Sequence, residues 1–184
     1  RLQKELSIGS GTAKSLIKKL NEDLNFIKVL TDENLIKGHI LTNVGINFVK
    51  KIKQKFPLIE AGDSSVMKDI LVKSEGKSSY FCFIRNAIDK VTNGIEQRDA
   101  AIKIGGLGAT CLLYDGKDLI FPSSSLPKNS NEHRTVNNKI FDYISSIIKK
   151  EGSELKKNDV ILICIANNLE NARLAALNAA LTLI

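Results

Sequence analysis

Apolar residues near the start of the chain recur with the period of a helix. Between residues 10 and 20 they occupy positions i, i+3, i+4 and i+7, which predicts a short helix whose buried face holds Ala13, Leu16, Ile17 and Leu20. We expect Gly9 in the preceding turn to take a positive φ and Ser10 to cap the helix. The other face of this helix is rich in lysine and hydroxyl groups, and the short helix RLQKEL precedes the turn.

Two strands and a second amphipathic helix complete this first pattern. Residues 25–30 and 38–42 predict strands on either side of the polar loop TDENLIK, which occupies 31–37. Thr42 can cap the following helix, and Pro57 ends it. We expect the apolar stripe of this helix to be buried: Val44, Phe48, Val49, Ile52 and Phe56.

Beyond residue 66 the hydrophobic pattern changes to strand-like runs separated by helices. The runs 70–73 and 80–85 predict one hairpin, and 109–121 predicts a second around the turn pair Asp115-Gly116. Three helices and one buried strand are predicted in the rest of the chain: 93–104, 138–150, 168–184 and 159–166. The order β-β-α-β-β-α-β-α indicates an α+β fold with a mixed or antiparallel sheet.

The small, polar segment EAGDSS separates the two patterns and predicts a domain boundary. We divide the chain into an N-terminal domain at 1–57, a linker at 58–65 and an α+β domain at 66–184. Charge supports this division, because residues 1–56 carry 11 Lys and Arg against 5 Asp and Glu, whereas the remainder carries 16 against 15. A basic domain beside a nearly neutral one indicates that the first domain has an anionic partner.

Cysteine usage and hydropathy indicate the cellular compartment in which we expect the protein. Cys82, Cys111 and Cys164 each lie within an apolar run and lack metal-ligand spacing, so we expect buried free thiols in a reducing cytoplasm. No apolar run approaches the roughly 18 to 20 residues of a membrane helix, and we expect no membrane partner. His39 and His133 are far apart in sequence, and they predict no metal site.

The basic helix at 10–20 has the composition of a DNA-recognition helix. In a helix-turn-helix the second helix enters the major groove, with its first residues at the base edges. We predict that double-stranded DNA is contacted by polar residues of this helix and by two lysines of the hairpin: Ser10, Thr12, Lys14, Ser15, Lys18, Lys19, Lys28 and Lys37. Residues 10–20 hold no Arg, Asn or Gln, so we expect modest sequence specificity unless the protein is a dimer.

The segment ELSIGSGTAKSLIKKLNEDLNFIKVL, followed by GHILTNVGINFVKKI, resembles the winged helix-turn-helix of prokaryotic, especially archaeal, transcription regulators. The shared pattern is IGxGTxxxLIKxL followed by GHxLTxxG. The resemblance implies a winged helix at 1–57 whose usual first helix is missing, which we interpret as truncation or disorder at the N-terminus. The wing departs from expectation because its tip carries Asp32 and Glu33, which are poor at contacting phosphates.

The segment NGIEQRDAAIKIGGLGATCLLYDGKDLIFP, with the C-terminal DVILICIANNLENARLAALNAAL, resembles a family of archaeal, regulator-like proteins. These proteins join a winged helix to a C-terminal domain of unknown function. The resemblance covers nearly the whole chain and implies a regulatory role, but it assigns no ligand and no catalytic residues.

Glycines and arginines near predicted strand ends suggest a small anion or metabolite pocket in the second domain. A candidate effector site combines five residues: Arg85, Arg98, Asp99, Gly106 and Thr110. The alternative is structural, because the glycines can end a helix and the arginines can pair with carboxylates. The sequence leaves both interpretations open.

Catalytic and cofactor motifs are missing from the sequence. It has no GxSxG, HExxH or paired-histidine motif, and GGLGAT precedes a strand and lacks a following GK[ST]. We therefore expect no enzyme activity, no catalytic residue, no cofactor and no metal. The favoured function is a cytoplasmic, DNA-binding transcription regulator that forms a homodimer and whose C-terminal domain dimerises, senses a small-molecule effector, or does both. Two alternatives are a protein-interaction adaptor whose winged helix does not bind DNA, and an enzyme with an accessory winged helix.

Overall fold

The chain folds into two compact units, Arg1–Gln54 and Lys55–Ile184. The computed structural model describes four stretches of the chain: 1–30, 38–71, 75–122 and 135–184. Both units mix helices and strands, which confirms the α+β class. The predicted contact residue Lys37, the acidic tip with Asp32 and Glu33, and His133 lie outside the described residues.

Three helices and a two-stranded hairpin form the described part of the N-terminal unit. These elements are α1 (Leu2–Leu6), α2 (Ser10–Lys18), β1 (Ile27–Val29), β2 (His39–Leu41) and α3 (Asn43–Lys55). A single π-helical turn, Lys19–Asp23, extends α2. β1 and β2 pair antiparallel, with Ile27 opposite Leu41. The elements follow the order that the hydrophobic pattern predicts.

The turn between α1 and α2 differs from its prediction. Ser7, not Gly9, takes the left-handed conformation, with φ 52° and ψ 41° as the C-cap of α1. Gly9 is the N-cap of α2 at φ −68°, so Ser10 is the first helical residue and does not cap the helix. The physical reason is the tight exit from α1, where the Ile8 N–H donates to the Gln3 carbonyl and the residue before Ile8 must turn left-handed.

The apolar stripe of α3 is only partly buried, contrary to prediction. Phe56, just after the helix, is buried, and Val49 and Ile52 are partly buried. Val44 and Phe48 are instead 50% and 44% exposed. Nothing in the described part of this unit covers the first turns of α3 on that side, so the period of the stripe alone overstated its burial.

A five-stranded antiparallel sheet forms the centre of the C-terminal unit. Its strands are β3 (Leu58–Gly62), β4 (Ser78–Ile84), β5 (Gly108–Tyr114), β6 (Leu119–Ile120) and β7 (Val160–Ala166). They lie in the order β3-β4-β7-β5-β6, and each neighbouring pair is antiparallel. Every residue of β7 is buried, as its uninterrupted apolar sequence predicts for a central strand covered on both faces.

The edge strand β3 occupies a segment that the sequence predicts as a linker. Residues 58–62 pair with β4 along their whole length, so the predicted linker 58–65 belongs mostly to the sheet. The predicted strand at 70–73 is not seen among the described residues, because Ile70 and Leu71 lie in turns. β3 is a short edge strand and only half-buried. The sequence of such a strand is as polar as that of a linker between domains, which is why the two are confused.

Three helices cover the sheet. They are α4 (Ile95–Lys103), α5 (Asn138–Lys150) and α6 (Leu169–Leu181), which confirms the three helices predicted in this part of the chain. The hairpin around Asp115-Gly116 is also confirmed, because Tyr114 pairs with Leu119 across it. Asn137 caps α5 and Asn168 caps α6, each by accepting a backbone N–H three residues later.

The two faces of the sheet have different cores. On one face, Ile140, Ile144 and Ile148 of α5 join a large cluster with Phe81 and Ile163. The alternate residues of the strands face α4 and α6, which pack against β4, β5 and β7. On this side α6 presents five buried alanines, and their small size lets the helix approach the sheet closely: Ala172, Ala175, Ala176, Ala179 and Ala180.

All three cysteines lie buried on the α6 side of the sheet. Cys82 and Cys111 are both cross-strand partners of Leu162, and Cys164 lies two residues along β7 on the same face. Desolvation raises the pKa of Cys111 and Cys164 to about 12, and it also raises the pKa of Cys82. The expectation of buried free thiols is confirmed. Because their pKa is raised, the three thiols are protonated at neutral pH.

Candidate nucleic-acid interface

Helix α2 is amphipathic, and its inner face anchors it to the N-terminal unit. Ala13 is buried, and Leu16, Ile17 and Leu20 are partly buried, as the helical period predicts. Beyond the helix, the Phe26 N–H donates to the Leu20 carbonyl at 2.8 Å, which connects the π-helical turn to the residue before β1. These contacts leave the opposite face of α2 at the surface.

The predicted DNA-contacting residues of α2 share this exposed face or its immediate flanks. The structure places six of them at the surface, on α2 or at the start of the π-helical turn: Ser10, Thr12, Lys14, Ser15, Lys18 and Lys19. Lys28 is exposed on β1, opposite the exposed Ile40 of β2. Seven of the eight predicted residues are therefore described, and all seven are accessible to a partner.

The lysines of this surface carry charge that the unit itself barely neutralises. Lys18 lies 3.8 Å from Glu22, and both side chains are more than half exposed, so this pair contributes little to stability. Lys14, Lys19 and Lys28 form no ion pair with any residue that the structure describes. We call Lys14, Lys18, Lys19 and Lys28 the basic surface.

The start of α2 is open. Gly9 caps the helix without a side-chain hydrogen bond, and the first turn holds no acidic residue. A β-carbon added to Gly9 or Gly11 would meet no heavy atom within 4 Å, so internal packing does not require glycine at either position. The first N–H groups of a helix have no partner within the helix, and the start of a helix attracts anionic groups.

The hairpin and α3 are joined by close backbone packing. Thr42 Oγ1 accepts from the Gly45 N–H at 3.1 Å and donates to the Asn25 carbonyl at 2.6 Å, which confirms the predicted cap. Gly45 has no room for a side chain, because a β-carbon there would overlap the Phe26 carbonyl oxygen. This contact fixes the segment just before β1 relative to α3.

An exposed apolar patch on the same unit was missed by the sequence reasoning. Phe48 stacks on Phe26 with ring centroids 4.5 Å apart, yet Phe48, Val44 and Leu41 each remain more than two-fifths exposed. We call Leu41, Val44 and Phe48 the apolar patch. The periodicity of α3 identified two of these residues as apolar, but it could not show that they lie uncovered.

In the C-terminal unit, the guanidinium group of Arg85 is bound by other residues of the same unit. Its Nη1 donates to Asp159 Oδ2 and to the Glu154 carbonyl, both at 2.6 Å, and its Nη2 donates to Ser153 Oγ at 2.6 Å. The guanidinium also lies 4.5 Å from the centroid of the Phe83 ring. Asp159 is almost fully buried, and this ion pair ties the end of β4 to the start of β7.

The other candidate effector residues lie at separate places. Arg98 pairs with its neighbour Asp99 at 2.9 Å on the exposed face of α4. Gly106 is buried where a β-carbon would collide with the Ala101 carbonyl oxygen and with the Ala175 side chain. Thr110 Oγ1 donates to the Ile70 carbonyl at 2.9 Å. The contacts agree with the structural alternative, and the structure does not bring the five residues together in one pocket.

A groove in the C-terminal unit lies between α4 and α6, and the sequence reasoning did not anticipate it. It has a volume of about 1040 Å³ and is lined by Ile95, Asp99 and Ile102 of α4 and by Asn178 and Leu181 of α6. Of the five candidate effector residues, Asp99 alone lines it. A groove between two helices that lie far apart in the sequence gives no signal in the sequence of either helix.

Neither a metal site nor a membrane-spanning helix is found in the part of the chain that the structure describes. No group of three or more His, Cys, Asp or Glu side chains is arranged to hold a metal ion there. Within the same stretches, no helix is both long enough and apolar enough to cross a membrane.

Comparison with known proteins identifies the family of the C-terminal unit. None of the curated proteins matches the chain. Among solved structures, the hypothetical protein PH0730 from Pyrococcus horikoshii OT3 is similar, with a TM-score of 0.66 and 22% identity, over 98% of this chain and 80% of that chain. At this identity the similarity shows the fold alone. A family model described as a domain of unknown function (DUF4443) matches residues 75–183, and the chain therefore belongs to the DUF4443 family.

Proposed function

We propose that this protein is a DNA-binding transcription regulator whose N-terminal unit acts as a winged helix-turn-helix. The observation that carries the proposal is the basic surface, which is exposed and almost free of internal ion pairs. Lysines that neutralise phosphates release counterions, and this release drives association with duplex DNA. In this proposal α2 is the recognition helix and the hairpin is the wing.

The open start of α2 supports the same role. Glycine in a helix costs stability relative to alanine, and neither packing nor a positive φ explains Gly11. A glycine that folding does not require is consistent with close approach of the backbone to a partner. Ser10, Thr12 and Ser15 are small and exposed, so they can reach base edges, whereas Lys18 and Lys19 lie farther along for phosphates.

We further propose that the regulator is a cytoplasmic homodimer. α2 offers serine, threonine and lysine but no bidentate Arg, Asn or Gln reader, so one copy discriminates weakly between sequences. Two copies read two half-sites and thereby gain affinity and specificity. The C-terminal unit is the candidate dimerisation domain. No effector role is proposed for the five candidate residues, because they lie at separate places and their contacts are with other residues of the chain.

A protein-interaction adaptor is the second candidate function, and the apolar patch favours it. Leu41, Val44 and Phe48 would suit a hydrophobic protein partner rather than a phosphate backbone. The two candidates differ in the forces they predict. DNA binding by the basic surface weakens steeply with salt, whereas docking on the apolar patch is insensitive to salt.

Fluorescence anisotropy with random duplex DNA at several salt concentrations tests the proposal. We expect log affinity to fall linearly with log salt concentration, and the triple variant Lys14→Ala/Lys18→Ala/Lys19→Ala to flatten that slope by about 2 to 3. The matched control removes three exposed lysines of the C-terminal unit (Lys68→Ala/Lys139→Ala/Lys150→Ala) and so has the same net charge. Equal slopes for the two triple variants, or no binding by the natural protein at low salt, would overturn the proposal.

A further inference from the structure

The groove between α4 and α6 exposes large apolar side chains on an otherwise well-packed unit. Ile95 and Ile102 of α4 are 45% and 48% exposed, and Leu181 of α6 is 55% exposed. All three line the groove. Isolated exposed residues of this size are common on monomers, but three that converge on one groove indicate a contact surface.

Folding of the unit does not account for these residues. The side of α4 that meets α6 uses Gln97 and Ala101, which are buried. Gln97 Nε2 donates to Thr182 Oγ1, and Asn178 Nδ2 donates to the Ala100 carbonyl, both at 2.8 Å. The two helices are thus already joined beneath the groove, and the apolar residues above it have no role in that joint.

The charges beside the groove are arranged in a self-complementary way. Glu96 and Lys103 both line the groove, and each is exposed and has no ion-pair partner among the described residues. They are seven residues apart, as are Ile95 and Ile102, so each pair lies on one side of α4 about 10 Å apart along its axis. An acidic end and a basic end therefore flank the same apolar stripe.

We propose that a second copy of the chain docks on this groove, with the two α4 helices antiparallel about a two-fold axis near Asp99. In that arrangement Ile95 of each copy meets Ile102 of the other, and Glu96 of each copy meets Lys103 of the other. A two-fold axis makes every such contact occur twice. Asp99 near the axis is already paired with Arg98 at 2.9 Å, so two facing Asp99 side chains leave no unneutralised charge there.

A homodimer fits the groove better than an unrelated protein does. A partner of different sequence would have to supply both an acidic and a basic group at the spacing found on α4, whereas a second α4 supplies them by symmetry. The inference deepens the proposed function by naming the surface that pairs two DNA-binding units. It is tested without DNA, so the dimer and the DNA binding can fail separately.

Light scattering and sedimentation over a wide concentration range, without DNA, measure the association. We expect the natural protein to form a dimer. Reversing one charge, as Glu96→Lys or Lys103→Glu, creates two like-charge contacts and weakens dimerisation by about 100-fold. The double variant Glu96→Lys/Lys103→Glu swaps both charges, re-creates the cross-subunit pairs and restores the dimer. Because these residues are exposed, each variant keeps its fold, which circular dichroism checks.

Apolar variants locate the interface. Ile102→Asp should give a monomer, whereas the matched change Ile40→Asp, at a residue 49% exposed on β2, should leave the dimer intact. The inference is overturned by a monomeric natural protein, by a charge swap that fails to restore association, or by a dimer that Val44→Asp disrupts and Ile102→Asp does not. A dimer that does not bind DNA would overturn the proposed function while leaving this interface in place.

Discussion

The two units of the molecule use their apolar residues in different ways. In the C-terminal unit, β7 is buried along its whole length, and both faces of the sheet are covered by helices. In the N-terminal unit, Ala13 and Gly45 are the buried residues among those described, while large side chains such as Val44 and Phe48 remain exposed. One unit has a core of its own, and the other has a minimal core.

This difference bears on the two proposed partner surfaces. A unit of about fifty residues buries a small fraction of its surface and is marginally stable by itself. Its excess of lysine adds self-repulsion that an anionic partner would relieve. The C-terminal unit has nearly balanced charge and a complete core, so its surface groove is free to serve association.

Gly45→Ala should unfold the N-terminal unit and spare the C-terminal one. The added methyl group overlaps the Phe26 carbonyl, which is backbone and cannot move aside cheaply, and overpacking of this kind costs about 3 kcal/mol or more. Hydrogen exchange should show lost protection in peptides from residues 1–54 and retained protection in peptides from 135–184. Uniform loss across both units would show that they do not fold separately.

Alkaline pH should destabilise the C-terminal unit selectively. A thiol whose pKa is raised on folding contributes stability below its unfolded pKa, near 9, and this stability is lost as the pH rises toward the folded value of about 12. At pH 10 the titration of each buried thiol lowers the free energy of unfolding by up to about 1.4 kcal/mol relative to neutral pH. Denaturant unfolding of Cys111→Ala should show a shallower alkaline loss than the natural protein. An unchanged pH dependence in that variant would contradict the assignment.

Asp159→Asn should lower the stability of the C-terminal unit by about 3 kcal/mol, because the buried carboxylate accepts from Arg85 and from two backbone N–H groups. The matched control is Asp118→Asn, which removes a half-exposed carboxylate from its pair with Lys117 at 3.9 Å and should change stability by less than about 1 kcal/mol. Thermal unfolding of both variants measures the contrast. Similar losses of stability in the two variants would mean that burial does not determine how much each ion pair contributes.

Gly11→Ala should have the smallest effect on folding and should act in opposite directions on stability and binding. The new methyl group enters open space and restricts the unfolded chain, so the N-terminal unit should gain about 0.5 kcal/mol. If DNA approaches the start of α2, the same methyl group should weaken DNA affinity. Thermal unfolding and anisotropy on one preparation measure both quantities, and a gain in stability with unchanged affinity would place DNA away from Gly11.

The sequence predicted helices and central strands well because their signals are local. The period of α2 identified its buried face, and the continuous apolar run of β7 identified a strand covered on both sides. The pair Asp115-Gly116 marked a hairpin that forms as expected. The prediction for the turn before α2 was less accurate. The exit from α1 determines which residue is left-handed, and that residue is Ser7, although glycine adopts this conformation more readily.

Side-chain partners across the fold could not be predicted in the same way. Arg85 appeared as a candidate ligand residue because nothing near it in sequence reveals Asp159, which lies 74 residues away and 2.6 Å distant in the folded chain. The sequence also did not predict the edge strand β3, because this strand forms by pairing with β4, which begins sixteen residues after β3 ends. Contacts between distant segments leave no periodic signal in either segment.

By itself, the sequence determined the α+β class, the uneven charge, the amphipathic faces of the helices and the burial of the three thiols. These follow from composition and period, which act between near neighbours. Tertiary structure alone decided that Val44 and Phe48 are uncovered, that Asp159 neutralises Arg85, and that Ile95, Ile102 and Leu181 converge on one groove. Exposure and convergence depend on what packs over a residue, and that is a property of the whole fold rather than of any segment.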